Sequence, residues 1–288
     1  MKPLLEILHQ AQTGKYAIGH FNISTLDAAW AIINTAKKLN VPVVIGVSEG
    51  ERDFIGVNQT ASIIHSIRHQ LDHPIYLNAD HTYSLDRIKE VVAAGYDSVI
   101  FDGAQLDQKQ NIARTKEVVD FVKSVNPHIL VEAEIGYIGT SSSLLEELPP
   151  DAIVDKDAMP TVEDIKHFIS QTNVDLLSPA IGNIHGMLKN THNPQLNIDL
   201  IKDIKKSIST PLVLHGGSGI THQNLLQAIK AGICMIHVNT EIRVAWKEGL
   251  IHSLEKYPDQ VAPYKLLTPA QAGVARVVTG KLKLFHQL

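Results

Sequence analysis

The stretch "PIYLNADHTYSLDRIKEVVAAGYDSVIFD", residues 74–102, decides how the whole chain is read. An apolar run, Ile75 to Leu77, gives way to Asp80 and His81. Ser84 then opens a segment whose apolar positions, Leu85, Ile88, Val91 and Val92, share one helical face, and Gly95 closes it. A second apolar run, "DSVIFD" at 97–102, follows directly. Neither run alternates cleanly between apolar and polar residues. Strands buried on both faces have this composition, as in a parallel sheet. The stretch is a strand–helix–strand unit with an acid and an imidazole where its first strand ends.

The same unit recurs outward in both directions. Further strand candidates are "YAIGHF" (16–21), "VPVVIGV" (41–47), "HILVEAE" (128–134), "VDLLSPAI" (174–181), "PLVLH" (211–215) and "MIHVN" (235–239). Helical segments lie between them. "STLDAAWAIINTAKKLN" opens on a Ser/Thr cap and ends at Asn40, and "THQNLLQAIKAG" runs from Thr221 to a stop at Gly232. Eight strand–helix repeats in 288 residues predict a single-domain (β/α)8 TIM barrel over 1–288, with a doubly wound open sheet as the structural runner-up. No Pro/Gly/Ser linker divides the chain. The long polar stretch 137–160, with Ser141 to Ser143 and two prolines, reads as a mobile loop over one end.

Composition narrows the class of function. Net charge is -4 and the pI is about 6.4, so no global field draws the chain to nucleic acid or to a membrane surface. No run approaches the length of a membrane span, and the N-terminus lacks a signal-peptide core. The one cysteine, Cys234, excludes an intrachain disulfide and points to the reducing cytoplasm.

In a barrel, the reactive groups sit where strands end. The third strand delivers Asp80 and His81, the fourth Asp102 and the fifth Glu134; "GNIHG" with His185 follows the sixth. The seventh ends at His215 before "GGSG", and the eighth ends in "HVNT", His237 to Thr240. A lone histidine at a strand end is usually a satisfied structural residue. Three on one rim, His81, His185 and His215, suit a divalent ion such as Zn²⁺ and leave a coordination position open. Asp102 and Glu134 would orient those imidazoles or hold a shifted ion. The glycines of "LHGGSGIT", beside the turn at Asn239 and Thr240, fit a phosphate seated against backbone N–H groups, although a tight strand–helix turn would also need glycine. Asp80 is either a helix cap or a proton carrier. Ser84 is better placed to cap, which frees Asp80 for chemistry. These residues predict a metal facing a phosphorylated substrate with a carboxylate alongside. Carbon–carbon cleavage, isomerisation and epimerisation all fit.

The segments "ADHTYSLDRIKEVVAAGYDSVIFDGA", "VEAEIGYIG", "AIGNIHG", "PLVLHGGSGI" and "NTEIRVAW", in this order, resemble the zinc-dependent (class II) ketose-bisphosphate aldolases, nearest the tagatose-bisphosphate-type branch. "FNIST", "VSEGE" and "ARVVTGKLKLF" extend the resemblance over nearly the whole chain. It implies reversible cleavage of a ketose 1,6-bisphosphate, most commonly fructose 1,6-bisphosphate, to dihydroxyacetone phosphate and glyceraldehyde 3-phosphate. It implies that His81, His185 and His215 bind one catalytic Zn²⁺, with Asp102 and Glu134 able to hold a second or shifted ion. Asp80 would carry the proton of the hydroxyl on the fourth carbon. Gly186, Gly216, Gly217, Ser218, Asn239 and Thr240 would cradle the phosphate, and Asn22 and Ser48 would lie on the active-site rim. A monovalent cation near the phosphate and a homodimer or homotetramer are further implications.

Two departures stand out. His237 occupies the place of a family asparagine that contacts dihydroxyacetone phosphate, and Met235 stands where lysine is usual. The loop after "GYIG" reads "TSSSLLEE", which puts Glu146 and Glu147 later than the family's acids. These departures keep open a tagatose-bisphosphate aldolase or an aldolase for another dihydroxyacetone-phosphate adduct. A more distant alternative is a phosphosugar-binding protein without turnover.

Overall fold

Short runs rich in Val, Ile and Leu become eight parallel strands that close into a barrel in chain order. They are β1 (Ile18–Asn22), β2 (Val43–Val47), β3 (Ile75–Thr82), β4 (Ser98–Phe101), β5 (Leu130–Ile135), β6 (Leu176–Pro179), β7 (Leu212–Leu214) and β8 (Ile233–Val238). The computed structural model describes residues 1–140 and 142–288. β8 closes on β1 with Ile18 opposite Met235 and His20 opposite His237.

Helices surround the strands: α1 (Leu4–Gly14), α2 (Leu26–Leu39), α3 (Glu49–Ile55), α4 (Val57–Leu71), α5 (Leu85–Ala93), α6 (Gln108–Val125), α7 (Val162–Thr172), α8 (Ile198–Ser207), α9 (His222–Ala231), α10 (Thr240–Lys256), α11 (Pro263–Leu266) and α12 (Thr268–His286). The Ser84 hydroxyl accepts from the Arg87 N–H and caps α5, so Asp80 does not serve as its cap. Thr221 caps α9 in the same way. Thr25 holds the cap position of α2 but makes no side-chain cap bond. The segment 137–160 carries a two-residue strand, Leu144–Leu145, paired in parallel with Met187–Leu188, and a 3₁₀ turn at Lys156–Ala158. Ser141 lies outside the described residues.

Two-residue alternation sorts the barrel interior into layers. The bottom layer is apolar: Ile18, Val44, Tyr76, Leu130, Leu176, Val213 and Met235 pack with Leu4, Ile7, Leu8 and Ala11 of α1. α1 therefore plugs that end. Two residues further along each strand come His20, Gly46, Asn78, Glu132, Ser178, His215 and His237, and the six polar residues among them are all buried. The next step reaches Asn22, Asp80 and Glu134, also buried. Buried polar groups are costly unless paired, so these upper layers must form a connected network. The remaining strand residues face the helices and form the main apolar core.

Candidate active site and metal centre

Successive strand residues normally face opposite sides, so Asp80 and His81 cannot share the interior without a break in geometry. The break is present. His81 has φ 37°, and the register between β3 and β4 slips between Ala79 and Thr82. This left-handed backbone is strained for a residue with a Cβ. Asp80 is buried, and the His81 ring meets Asp102 Oδ2 at 3.0 Å and Glu134 Oε1 at 3.2 Å.

Arg52 of α3 holds the bulge in place. It is 1% exposed; its NH1 donates to Val47 O at 2.5 Å and Asp80 O at 3.0 Å, and its NH2 donates to Thr82 Oγ1 at 3.0 Å. Both flanks of the strained residue are thus fixed by one guanidinium. Arg52→Met would leave these acceptors buried without a donor. Unfolding stability in urea should drop by about 3 kcal/mol, from unsatisfied groups at roughly 1–3 kcal/mol each. A loss below about 0.5 kcal/mol would show that the bulge holds without the clamp.

The three predicted imidazoles meet. His81, His185 and His215 each offer a ligand atom within 4.8 Å of the others. Their rings are tilted or edge-on, at 79°, 77° and 44°. One nitrogen of each ring already faces an oxygen. His81 Nδ1 faces Asp102, His185 Nδ1 faces Gly139 O at 2.6 Å and His215 Nε2 faces Glu132 Oε1 at 2.8 Å. This pattern orients ligand histidines and leaves the opposite nitrogen available. His215 Nδ1 and Glu134 Oε1 lie 3.0 Å apart as a buried ion pair, but neither makes a well-aligned hydrogen bond, so both can turn to a divalent cation. The donor set therefore fits such an ion.

A second set, His20, Asp80 and His237, is equally close but does not fit. The His20 and His237 rings are parallel to within 3°, with centroids 3.5 Å apart. Imidazole lone pairs lie in the ring plane, so two stacked rings cannot direct them at one ion. His215 and His237, 25° from parallel at 4.0 Å, share that defect.

Charge in the site is arranged by environment. Burial disfavours the charged form of His81, but Asp80, Glu134 and Asp102 hold its pKa well above the usual 6.5. Burial opposes charge on His215 too, and Glu134 with Glu132 raises it to about 10. His185 is pushed down to about 4 by burial and by His81. Burial would raise Asp80, yet His81, His237 and His20 keep it well below the ordinary carboxylate range. Asp80 is thus an ionised base. Asn22 Nδ2 donates to its Oδ2 at 2.8 Å.

The glycine-rich loop after β7 lies across the cleft. A Cβ on Gly216, whose φ is 65°, would sit 2.0 Å from Ile184 O, so only glycine is accommodated. Asn22, Asp80, His81, Ser142, His185, Gly186, Gly216, Ser218, His237, Asn239 and Thr240 line one narrow cleft. The loop is tied to the start of α10: the Glu241 N–H donates to Ser218 Oγ at 3.2 Å, and Glu241 Oε1 accepts from the Gly219 N–H at 2.9 Å. Lys281 of α12, 5% exposed, donates to the same carboxylate oxygen at 2.8 Å. Lys281→Met is expected to loosen this cradle and raise the apparent KM for a phosphorylated substrate about tenfold, roughly 1.4 kcal/mol, without changing metal content. An unchanged KM would show that the cradle holds its shape without Lys281.

The other predicted residues are close by. Asp102 and Glu134 back the histidines, while Gly217 lies in the loop and its N–H donates to His237 O. Ser48 is at the rim but its hydroxyl donates to Glu51 rather than lining the cleft. Glu146 pairs with Lys189 at the surface, and among the described residues neither it nor Glu147 lines the cleft. Sequence reasoning missed His20, Asn78, Glu132, Glu51, Arg52 and Lys281. Two-residue spacing behind known site residues (His20/Asn22, Asn78/Asp80, Glu132/Glu134) carries the signal for three of them.

The sequence profile of the family described as fructose-bisphosphate aldolase class-II matches residues 2–288. Among solved structures, the YdjI aldolase from Escherichia coli K12 is similar at 28% identity with a TM-score of 0.82, over 98% of this chain and 96% of that one. A fructose-bisphosphate aldolase from Campylobacter jejuni shares the fold at 18% identity and a TM-score of 0.81, over 98% and 93%. Among the described residues no helix is long and apolar enough to cross a membrane.

Proposed function

The chain belongs to the class II fructose-bisphosphate aldolase family, metal-dependent lyases, and from that premise we propose that it cleaves a ketose 1,6-bisphosphate reversibly to two triose phosphates. The observation that carries this reading is one cleft in which three convergent imidazoles, the ionised Asp80 and a glycine cradle meet. His81, His185 and His215 would hold the ion, and Zn²⁺ is the ion their nitrogen set favours. When bound, Zn²⁺ supplies a Lewis acid for the substrate carbonyl. Gly186, Gly216 to Ser218, Asn239 and Thr240 would seat the phosphate of the dihydroxyacetone half. Asp80 would take the proton from the hydroxyl on the fourth carbon as the bond to the third carbon breaks, and return it in the reverse direction. Asn22 holds the carboxylate for that transfer. Glu134 and Asp102 would hold a second or shifted ion, a reading supported by their closeness to His81. A monovalent cation near the phosphate, a homodimer or homotetramer and a cytoplasmic setting complete the reading; the single buried cysteine supports the last.

Purified protein supplied with one zinc equivalent should release triose phosphate from fructose or tagatose 1,6-bisphosphate, stop on EDTA treatment and recover with zinc. No release from either sugar would overturn the assignment. A second reading, an aldolase for another dihydroxyacetone-phosphate adduct, is favoured by His237 in the cleft and by the distance of Glu146 from it. A panel of acceptor aldehydes separates the two: clear preference for glyceraldehyde 3-phosphate supports the first.

A further inference from the structure

His20 and His237 face each other across the seam where β1 and β8 close the barrel. Both rings are buried, and they stack with centroids 3.5 Å apart. The His20 ring is fixed from three sides. Its Nε2 lies 3.1 Å from Asn78 Oδ1, and Asn78 Nδ2 donates to Ser98 Oγ at 2.7 Å. With the amide in this orientation the Nε2 of His20 is the donor. Gly46 lies against the ring, and a Cβ there would come within 2.1 Å of His20 Cε1. The space beside β2 is left open for this imidazole.

His237 is held differently. Its Nδ1 faces Asp80 Oδ1 at 3.5 Å, while its Nε2 is buried with no hydrogen-bond partner. A histidine ring has a broad terminal torsion, so one long in-plane contact does not fix its plane. Two ring contacts do: His20, 3° from parallel at 3.5 Å, and His215, 25° from parallel at 4.0 Å, of which the His20 contact is the closer and flatter.

We propose that His20 is a positioning residue, which acts through the face of His237 to fix the direction of the Asp80 carboxylate. The proposal rests on Asp80 being the proton carrier of the aldol step. His237 presents Nδ1–H to one carboxylate oxygen and Asn22 presents its amide to the other. Asp80 is thus held at Oδ2 by Asn22, while Oδ1 has no hydrogen bond until the 3.5 Å approach of His237 Nδ1 tightens as substrate fills the cleft. Without His20 the closer ring contact is lost, the tilted His215 ring alone remains against His237, and Nδ1 turns away from Asp80.

The test compares the zinc-loaded full-length protein with His20→Ala and with Gly46→Ala, which displaces the same ring by another route. Long-range ¹⁵N spectra of histidine-labelled protein should show His237 as the Nδ1–H tautomer in the parent and as a tautomer mixture in both variants. Cleavage kcat should fall about 10- to 100-fold, as for other supporting residues of an active site, with KM within about twofold. Solvent exchange of the proton on the hydroxymethyl carbon of dihydroxyacetone phosphate, which becomes the third carbon of the ketose and does not pass its proton through Asp80, should persist. Zinc content and the unfolding midpoint report on folding. A His20→Ala protein that keeps either the parent kcat or the Nδ1–H tautomer overturns the proposal. Absence of cleavage by the parent overturns the aldolase reading instead, and the tautomer spectra still decide the role of His20.

Discussion

His185→Ala is expected to yield a folded barrel that no longer retains a divalent ion and whose cleavage rate falls by about 10³-fold or more, several kcal/mol of lost Lewis-acid catalysis. Of the three imidazoles, His185 is the informative one to remove. Its pKa is lowered to about 4, so it is neutral, and its Nδ1 meets only a backbone carbonyl. Its loss orphans no carboxylate. His215→Ala would instead strip Glu132 and Glu134 of their cationic partner and confound metal loss with unfolding. Metal content by elemental analysis, beside the unfolding midpoint, separates the two. Retention of a full zinc equivalent by His185→Ala would remove it from the ligand set. The metal-free protein should also bind zinc with release of about two protons, since His81 and His215 are both held protonated at neutral pH. Protons and ion compete, so affinity should strengthen as pH rises. For the metal-free fold the sign is opposite. His215 lies above its ordinary 6.5, so its stabilisation is complete below 6.5 and is lost as pH climbs through about 10. Calorimetry in buffers of different ionisation enthalpy counts the protons.

The parts of this architecture that were legible in the sequence are those with a local cause. Strand composition, the cap at Ser84 and the stop at Gly95 are short-range features, and they placed β3, α5 and β4 to within a few residues. Strand-end position then brought His81, His185 and His215 to one rim, because a barrel maps strand ends onto a ring. What escaped depended on partners distant in sequence. Arg52 reads as one more charge on a short polar helix, and only the closed barrel puts it under Asp80 O, 28 residues away. Lys281 sits near the end of the chain and meets Glu241 only because α12 packs on α10. His20 lies inside the apolar run "YAIGHF", and only the closure of β8 on β1 puts it opposite His237. The positive φ at His81 carries no residue signature, since glycine would be the usual choice there. Its motive is functional: it lets two neighbouring side chains enter one cleft.

Asp80→Asn is expected to lower cleavage kcat by about 10³-fold, within the 10²- to 10⁴-fold range of a lost general base, while zinc stays bound. Asparagine keeps the volume and still accepts from Asn22, so the cleft retains its shape. What disappears is the acceptor for the proton on the fourth-carbon hydroxyl. The partial reaction that avoids this proton should survive. Dihydroxyacetone phosphate should still exchange a proton of its hydroxymethyl carbon with solvent, and an Asp80→Asn protein that loses exchange and cleavage equally would place Asp80 in both steps or outside proton transfer altogether. The pH dependence follows from the environment of Asp80. Burial works against its charge, but His81, His237 and His20 overcome it and depress the pKa well below the ordinary carboxylate range. The base is therefore ionised throughout the neutral range, and its contribution to stability, present above the ordinary carboxylate pKa, is lost only as pH falls through the depressed value. On the acid side, zinc release by protonation of His81 and His215 precedes protonation of Asp80. The acid limb of a cleavage profile should accordingly shift with zinc concentration, and a limb fixed at all zinc concentrations would assign it to Asp80 itself.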